Sequence, residues 1–197
     1  MKIGITGGIG SGKTTVCRVF NTLGIPVFDS DKEAQIIINE DPTVRVNLNS
    51  IAGVDLFSFG TLDRKLLANL IFNDGGMLLR VNELIHPLVF ERFDAWASEQ
   101  NSLYSILESA ILFESGAWQN VDKTISVIAP VKERIKRVSA RSNMPEREIL
   151  DRIKNQMDDN ERVKKSDFVI RNGEDDFIIP AVLQIHDQII NQIRLKD

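Results

Sequence analysis

The chain has 197 residues, room for one compact core with an inserted helical subdomain. Hydrophobic residues make up 43 % and charged residues 26 %, and the net charge is −4. That excludes a basic footprint for nucleic acid but leaves room for a local anion site. No apolar run reaches the roughly 18 residues of a membrane span, and the opening residues are too short in apolar length for a signal peptide. The single cysteine, Cys17, excludes an internal disulfide and a cysteine metal cluster. The expected compartment is the cytoplasm.

Lys2–Thr6 reads as a short buried strand. Gly4, Gly7, Gly8, Gly10 and Gly12 put five of the chain's 12 glycines in its first 12 residues. A helix is expected from near Lys13, because Val16, Val19, Phe20 and Leu23 share one helical face, with Gly24 as its stop. Residues 25–28 read as a second strand ending at Asp29-Ser30-Asp31, and residues 31–39 as a helix. Residues 41–60 show only breaks, at Asp41-Pro42 and Gly53. From Leu62 to about Gln100 the pattern is helical, with interruptions expected at Asp74-Gly75-Gly76 and at His86-Pro87. Residues 104–107 and 124–129 look like buried strands, 131–141 and 145–157 like charged amphipathic helices, and 167–170 like a short strand. The last helix carries Ile178, Val182, Ile185, Ile189 and Ile193 on one face. Strands alternating with helices argue for an α/β fold with a parallel sheet covered on both sides. The strandless block 62–100 reads as an insertion at the sheet's carboxyl edge, where ligands bind.

Gly7-Gly8-Ile9-Gly10-Ser11-Gly12-Lys13-Thr14 matches the phosphate-loop pattern G-x-x-x-x-G-K-[ST]. Its glycines let the backbone approach a phosphate, and its N–H groups and the following helix's dipole favour an anion. Lys13 is expected on the β- and γ-phosphates of ATP, and Thr14 on Mg²⁺, which prefers oxygen ligands. The required context of strand, loop and helix is present.

A phosphate loop names a nucleotide and not a reaction. The guanine-reading Asn-Lys-x-Asp of a GTPase is absent. The second strand arrives by residue 28 and delivers Asp29 and Asp31, a compact order that suits a small-molecule kinase. In such a kinase an acid orients the acceptor hydroxyl or takes its proton. Asp31 is the candidate; equally, it could cap the helix that follows. Arg137 and Arg141 lie four apart on one helix face, where they could meet phosphate oxygens or simply be solvated. Cys17 reads as a small buried hydrophobe, and His186 as a surface residue.

Further along, the residues resemble a known family. Thr6 to Thr15, then Leu23-Gly24-Ile25-Pro26-Val27-Phe28-Asp29-Ser30-Asp31, is similar to the opening of dephospho-coenzyme A kinases. Gly60-Thr61-Leu62-Asp63-Arg64 with Ile71-Phe72 resembles the start of that family's substrate-side helices, and Leu84-Ile85-His86-Pro87 its Leu-x-His-Pro. Leu112-Phe113-Glu114 resembles a strand end of the family. Arg137, Arg141, Arg152-Ile153 and Gln156 resemble its lid, and Ser166 to Gly173 its Ala-Asp-x-Val-Ile-x-Asn-x-Gly. Two departures stand out: Ala110 where the family has proline, and Ser142 where its lid has aspartate.

The resemblance implies a three-layer P-loop kinase fold with a parallel central sheet, in a single domain. The core would be about 1–61, 101–130 and 166–197, with a helical substrate-binding insertion at about 62–100 and a lid at about 131–165. It implies transfer of the γ-phosphoryl of ATP to the ribose 3′-hydroxyl of dephospho-CoA. Asp31, Lys13 and Arg141 would be catalytic. Gly8, Gly10, Ser11, Gly12, Lys13, Thr14, Thr15, Arg137 and Asn172 would bind ATP. Asp29, Asp31, Arg64, His86 and Glu114 would bind the acceptor, and Thr14 would hold Mg²⁺. Some residues have a structural alternative: His86 as a helix cap, Glu114 as a structural acid, Asn172 as a turn residue. Two other functions compete: a nucleoside monophosphate or sugar kinase, and a nucleotide-binding regulatory module without turnover. The expected partners are ATP and dephospho-CoA, with no nucleic acid and no membrane; oligomeric state is not readable from the sequence.

Overall fold

The computed structural model describes residues 1–195 except Asn143, and it leaves out the side chains of Phe72 and Asn73. Five parallel strands form one sheet in the order β2-β3-β1-β4-β5. They are β1 (Lys2–Thr6), β2 (Val27–Asp29), β3 (Ser105–Glu108), β4 (Lys123–Ile128) and β5 (Phe168–Arg171). The chain falls into two compact units, one of Met1–Asp29 with Ala97–Asp197 and one of Ser30–Trp96.

In the sheet unit, alternation along the strands sorts the side chains by face. Ile3, Ile5, Ile106, Ile125, Val127 and Ile170 pack with Val16, Cys17 and Phe20 of α1 (Lys13–Thr22) and with Val182, Ile185 and Ile189 of α9 (Ile178–Arg194). On the opposite face, Gly4 is a packing glycine: a Cβ there would lie 2.7 Å from the Leu112 side chain. That face also carries Ser126, whose hydroxyl hydrogen-bonds that of Ser166 at 2.5 Å. Ser166 follows α8 (Asp159–Lys165). Sequence order reverses about β1, since the chain runs from β1 out to β2, back to β3 beside β1, and across to β4. The carboxyl end of β1 is therefore a switch point, where open α/β sheets bind ligands.

Two further helices of this unit are α6 (Val131–Ser142) and α7 (Glu146–Lys154). The pattern at 145–157 suggested one helix; α7 is shorter, and α8 follows as a separate helix capped by Asp158, which accepts from Asn160 N–H at 2.8 Å. His186, read as a surface residue, is half-buried, and its Nδ1 pairs with the buried Tyr104 hydroxyl at 2.7 Å.

The second unit is helical: α2 (Ser30–Glu40), α3 (Pro42–Ala52), α4 (Arg64–Asn73) and α5 (Gly75–Ser98). Residues 30–61, expected with the core, group with the inserted helices instead. The unreadable stretch 41–60 holds α3, whose N-cap Asp41 accepts from Thr43 and Val44 N–H at 2.8 and 3.2 Å. The expected break at Asp74 separates α4 from α5, whereas the one at His86-Pro87 does not occur: α5 runs through Pro87. Its buried stripe, Met77, Val81, Ile85, Val89 and Phe93, recurs every fourth residue and omits Pro87. Glu83, whose carbonyl the proline deprives of an N–H, is exposed like Pro87, so water can solvate that carbonyl.

Candidate active site

The loop between β1 and α1 closes on itself. Ser11 N–H donates to Gly8 C=O at 3.1 Å, and Lys13 Nζ to Gly7 C=O at 2.7 Å. Thr15 and Val16 N–H both donate to Gly12 C=O, at 3.0 and 3.1 Å, which starts α1. Gly12 sits at φ 97°, and a Cβ there would be 2.0 Å from Asn172 Nδ2. Both the backbone angle and the close neighbour require glycine. Asn172 is buried after β5 and donates to Ser11 C=O at 2.7 Å. Its side-chain amide thus buttresses the loop from behind, so it is more than a turn residue.

Thr14 and Thr15 are exposed at the start of α1. Thr14 Oγ1 donates to Glu108 Oε1 at 2.9 Å. Glu108 ends β3, where its Cα partners are Ile5 on one side and Asp29 on the other. Paired positions of parallel strands share a sheet face, so the Asp29 and Glu108 carboxylates are neighbours at the carboxyl edge. A hydroxyl and carboxylates beside the phosphate loop form an all-oxygen set that fits a hard divalent cation. Among the described residues there is no cluster of three or more His, Cys, Asp or Glu poised for a metal. Such a site would therefore need water and phosphate oxygens to complete it. Burial, and then the Glu108 carboxylate, push the Cys17 thiol far up. Cys17 is the small buried residue its sequence position suggested.

Sequence reasoning passed over Glu108. The signal available was an acid closing an apolar strand, Ser105-Ile106-Leu107-Glu108, the usual place for the carboxylate that supports Mg²⁺ in P-loop proteins.

The arginines of α6 divide into two kinds. Arg137 Nη2 donates to Glu133 Oε2 at 2.9 Å and to Asn172 C=O at 2.8 Å, so it lies beside the loop's buttress. Its Nη1 is buried without a hydrogen-bond partner among the described residues. Arg141 is exposed near the end of α6. The departure at Ser142 is absorbed locally, its hydroxyl donating to Val138 C=O at 2.9 Å within the helix. The departure at Ala110 lies in the turns after β3, where the backbone is held by Ser115 N–H on Ile111 C=O at 2.8 Å. Glu114 uses one oxygen, Oε1, to accept from Met157 N–H at 3.1 Å and from Arg162 Nη2 at 3.2 Å. The structural alternative for Glu114 thus has a definite form, a strut to the foot of α8.

The remaining candidates lie in the helical unit. Asp31 is the second residue of α2, two residues beyond the carboxyl end of β2, inside the helix's first turn. A carboxylate there is favoured by the helix dipole. Arg64 opens α4 and donates to Gln35 Oε1 at 2.7 Å. His86 is half-buried in mid-α5 with its ring centroid 6.2 Å from that of Phe90, and burial lowers its pKa. It caps no helix end.

The profile of the dephospho-CoA kinase family matches residues 1–176. The chain belongs to the dephospho-CoA kinase family. It is 40 % identical over 186 residues to the dephospho-CoA kinase of Bacteroides fragilis (strain YCH46), covering 94 % of this chain and 91 % of that one. Among solved structures it resembles TT1252 from Thermus thermophilus, with a TM-score of 0.85, 33 % identity and coverage of 95 % and 96 %. It also resembles the dephospho-CoA kinase from Campylobacter jejuni, with a TM-score of 0.66, 25 % identity and coverage of 96 % and 98 %. This kinase is therefore a transferase with a nucleotide-binding P-loop on a five-stranded parallel sheet.

Proposed function

We propose that this kinase moves the γ-phosphoryl group of ATP to the ribose 3′-hydroxyl of dephospho-CoA, yielding coenzyme A and ADP in the last step of CoA biosynthesis. What carries the reading is a complete phosphate loop, with Lys13 and the Thr14–Glu108 pair in place, in a chain matched by the family from residue 1 to 176. In this reading backbone N–H groups of the phosphate loop, that of Gly10 among them, cradle the phosphates, and Lys13 exchanges the Gly7 carbonyl for them. Thr14 holds Mg²⁺, with Glu108 orienting the hydroxyl. When bound, the ion offsets phosphate charge. Asp31 accepts or orients the proton of the 3′-hydroxyl. Arg141, and Arg137 beside the Asn172 buttress, offset charge on the ATP side, where a planar guanidinium meets phosphate oxygens in pairs. Asp29, Arg64, His86 and Glu114 contact or support the acceptor. Residues 131–165 act as a lid. No helix among the described residues is long and apolar enough to cross a membrane.

The test is phosphoryl transfer to dephospho-CoA with the product identified as the 3′-phosphate. Asp31→Asn preserves shape and removes the charge. It should bind ATP near normally while kcat falls about 10²–10⁴-fold, the usual cost of losing a positioned base. A variant within twofold of wild type would end the role given to Asp31. A wild-type chain that ignores dephospho-CoA but phosphorylates a nucleoside monophosphate or a sugar would end the substrate assignment.

A further inference from the structure

The tip of the phosphate loop is gripped from outside on both sides of Ile9. The Ile9 N–H donates to Gln156 Oε1 at 2.8 Å. The Ile9 C=O accepts from Arg134 Nε at 2.8 Å. These groups belong to successive peptide units, 8–9 and 9–10, so two adjacent planes are fixed by two side chains. Among the described residues no peptide bond is cis. In a trans unit C=O and N–H point in opposite directions. With the Ile9 C=O held toward Arg134, the Gly10 N–H must point away from α6. Gly10 lies at φ 76°, where glycine alone is unstrained, and a glycine on one side makes the 9–10 plane easy to flip. A flip would turn a carbonyl oxygen to where the N–H had pointed, toward an anion in the loop.

The grip is itself anchored. Arg134 is 3 % exposed, and its Nη1 donates to Asp159 Oδ2 at 3.1 Å. Asp159 Oδ1 accepts from the fully buried Arg162 at 2.9 Å, and Arg162 reaches Glu114 at 3.2 Å. Gln156 lies on the connection that joins α7 to α8 and Asp159 is the first residue of α8, so one short segment holds Ile9 directly and through Arg134. A Cβ on Gly8 would meet Arg134 Nη2 at 2.1 Å. The second glycine of the Gly7-Gly8 pair is therefore a seat for this guanidinium.

We propose that Gln156 and Arg134 are positioning residues for phosphoryl transfer: they hold the two peptide planes at Ile9 so that the Gly10 N–H stays turned to the phosphates of ATP, and Asp159 ties that hold to the foot of the lid. The proposal rests on the loop being the seat of those phosphates. Neither side chain is assigned to touch substrate.

The test compares Gln156→Leu with Gln156→Glu, which keeps an acceptor oxygen for the Ile9 N–H. Gln156→Leu should lower kcat/KM for ATP about tenfold or more, the scale of a hydrogen bond lost with its donor left unsatisfied. The KM for dephospho-CoA should stay within twofold. Gln156→Glu should recover most of the loss even if both variants melt at the same lower temperature, which a merely structural role would not produce. Gln156→Leu with wild-type kcat/KM for ATP overturns the proposal, as does a Gln156→Glu variant no better than Gln156→Leu. If Gln156→Leu does not fold, amide exchange of the wild-type chain without nucleotide decides. Ile9 should be protected well beyond a free loop amide, and an unprotected Ile9 overturns the grip. That outcome leaves the loop's role in catalysis standing; wild-type turnover by Lys13→Ala would instead remove the loop itself.

Discussion

Glu108 offers a graded test of the chemistry at the phosphate end. Its Oε1 accepts from Thr14 Oγ1 at 2.9 Å. A hydrogen bond to a carboxylate contributes about 1.5–3 kcal/mol net, roughly twice a neutral one. Glu108→Gln keeps an acceptor oxygen and removes the charge. It should lose about half of that, or roughly three- to tenfold in kcat/KM for ATP. Glu108→Ala loses the whole bond, roughly 10–150-fold. Glu108 is half-buried, so water can fill the space left by truncation and no large cavity penalty adds to these figures. The assay follows ADP release at saturating dephospho-CoA while free Mg²⁺ is titrated. Both variants should need more Mg²⁺ for half-maximal rate, with Ala worse than Gln and the KM for dephospho-CoA unchanged. If both stay within twofold of wild type with the same Mg²⁺ requirement, the Thr14–Glu108 pair is only a spacer and the metal assignment built on it is wrong.

Three other outcomes are expected. Lys13→Ala should weaken ATP binding and abolish transfer, since the phosphates lose their nearest mobile cation; direct titration of ATP and the transfer assay check both halves. Arg141→Ala should lower kcat by more than it raises the KM for dephospho-CoA, and ATP with dephospho-CoA should slow hydrogen exchange across 137–157 as the lid closes and excludes water; unchanged exchange would remove the lid. Burial holds the His86 pKa below its ordinary value, so below the unfolded pKa of about 6.5 the unfolded chain binds more protons. Its contribution to stability should be complete above that pH and drain away as pH falls toward the folded pKa. Denaturant midpoints measured from about pH 7 to about pH 5 should therefore fall less for His86→Gln than for wild type.

The parts legible in the sequence were those encoded by neighbours in the chain. The phosphate loop is one such part: Gly7 to Thr14 are contiguous, and their spacing alone sets where Lys13 and Thr14 stand. The strands were legible too, because short runs without charge such as Thr124 to Val127 are buried on both faces. The break at Asp74 was readable, but that at Pro87 was not real. A proline's helix-breaking cost depends on whether the carbonyl it orphans can be solvated, and that is a tertiary fact. The sequence by itself thus determined the fold class, the nucleotide-binding loop and the family.

Only the tertiary structure decided what surrounds the loop. Glu108 reaches Thr14 through the register of β3 on β1, across 94 positions of chain. Asn172 reaches Ser11 across 161 positions. Gln156, just past α7, and Arg134, on α6, meet at Ile9. Tyr104, just before β3, and His186 of α9 pair in the same way. A hydrogen bond needs donor and acceptor within about 3 Å, and no local periodicity encodes such a meeting. Strand register and helix docking set it, and these are fixed only when the whole core packs.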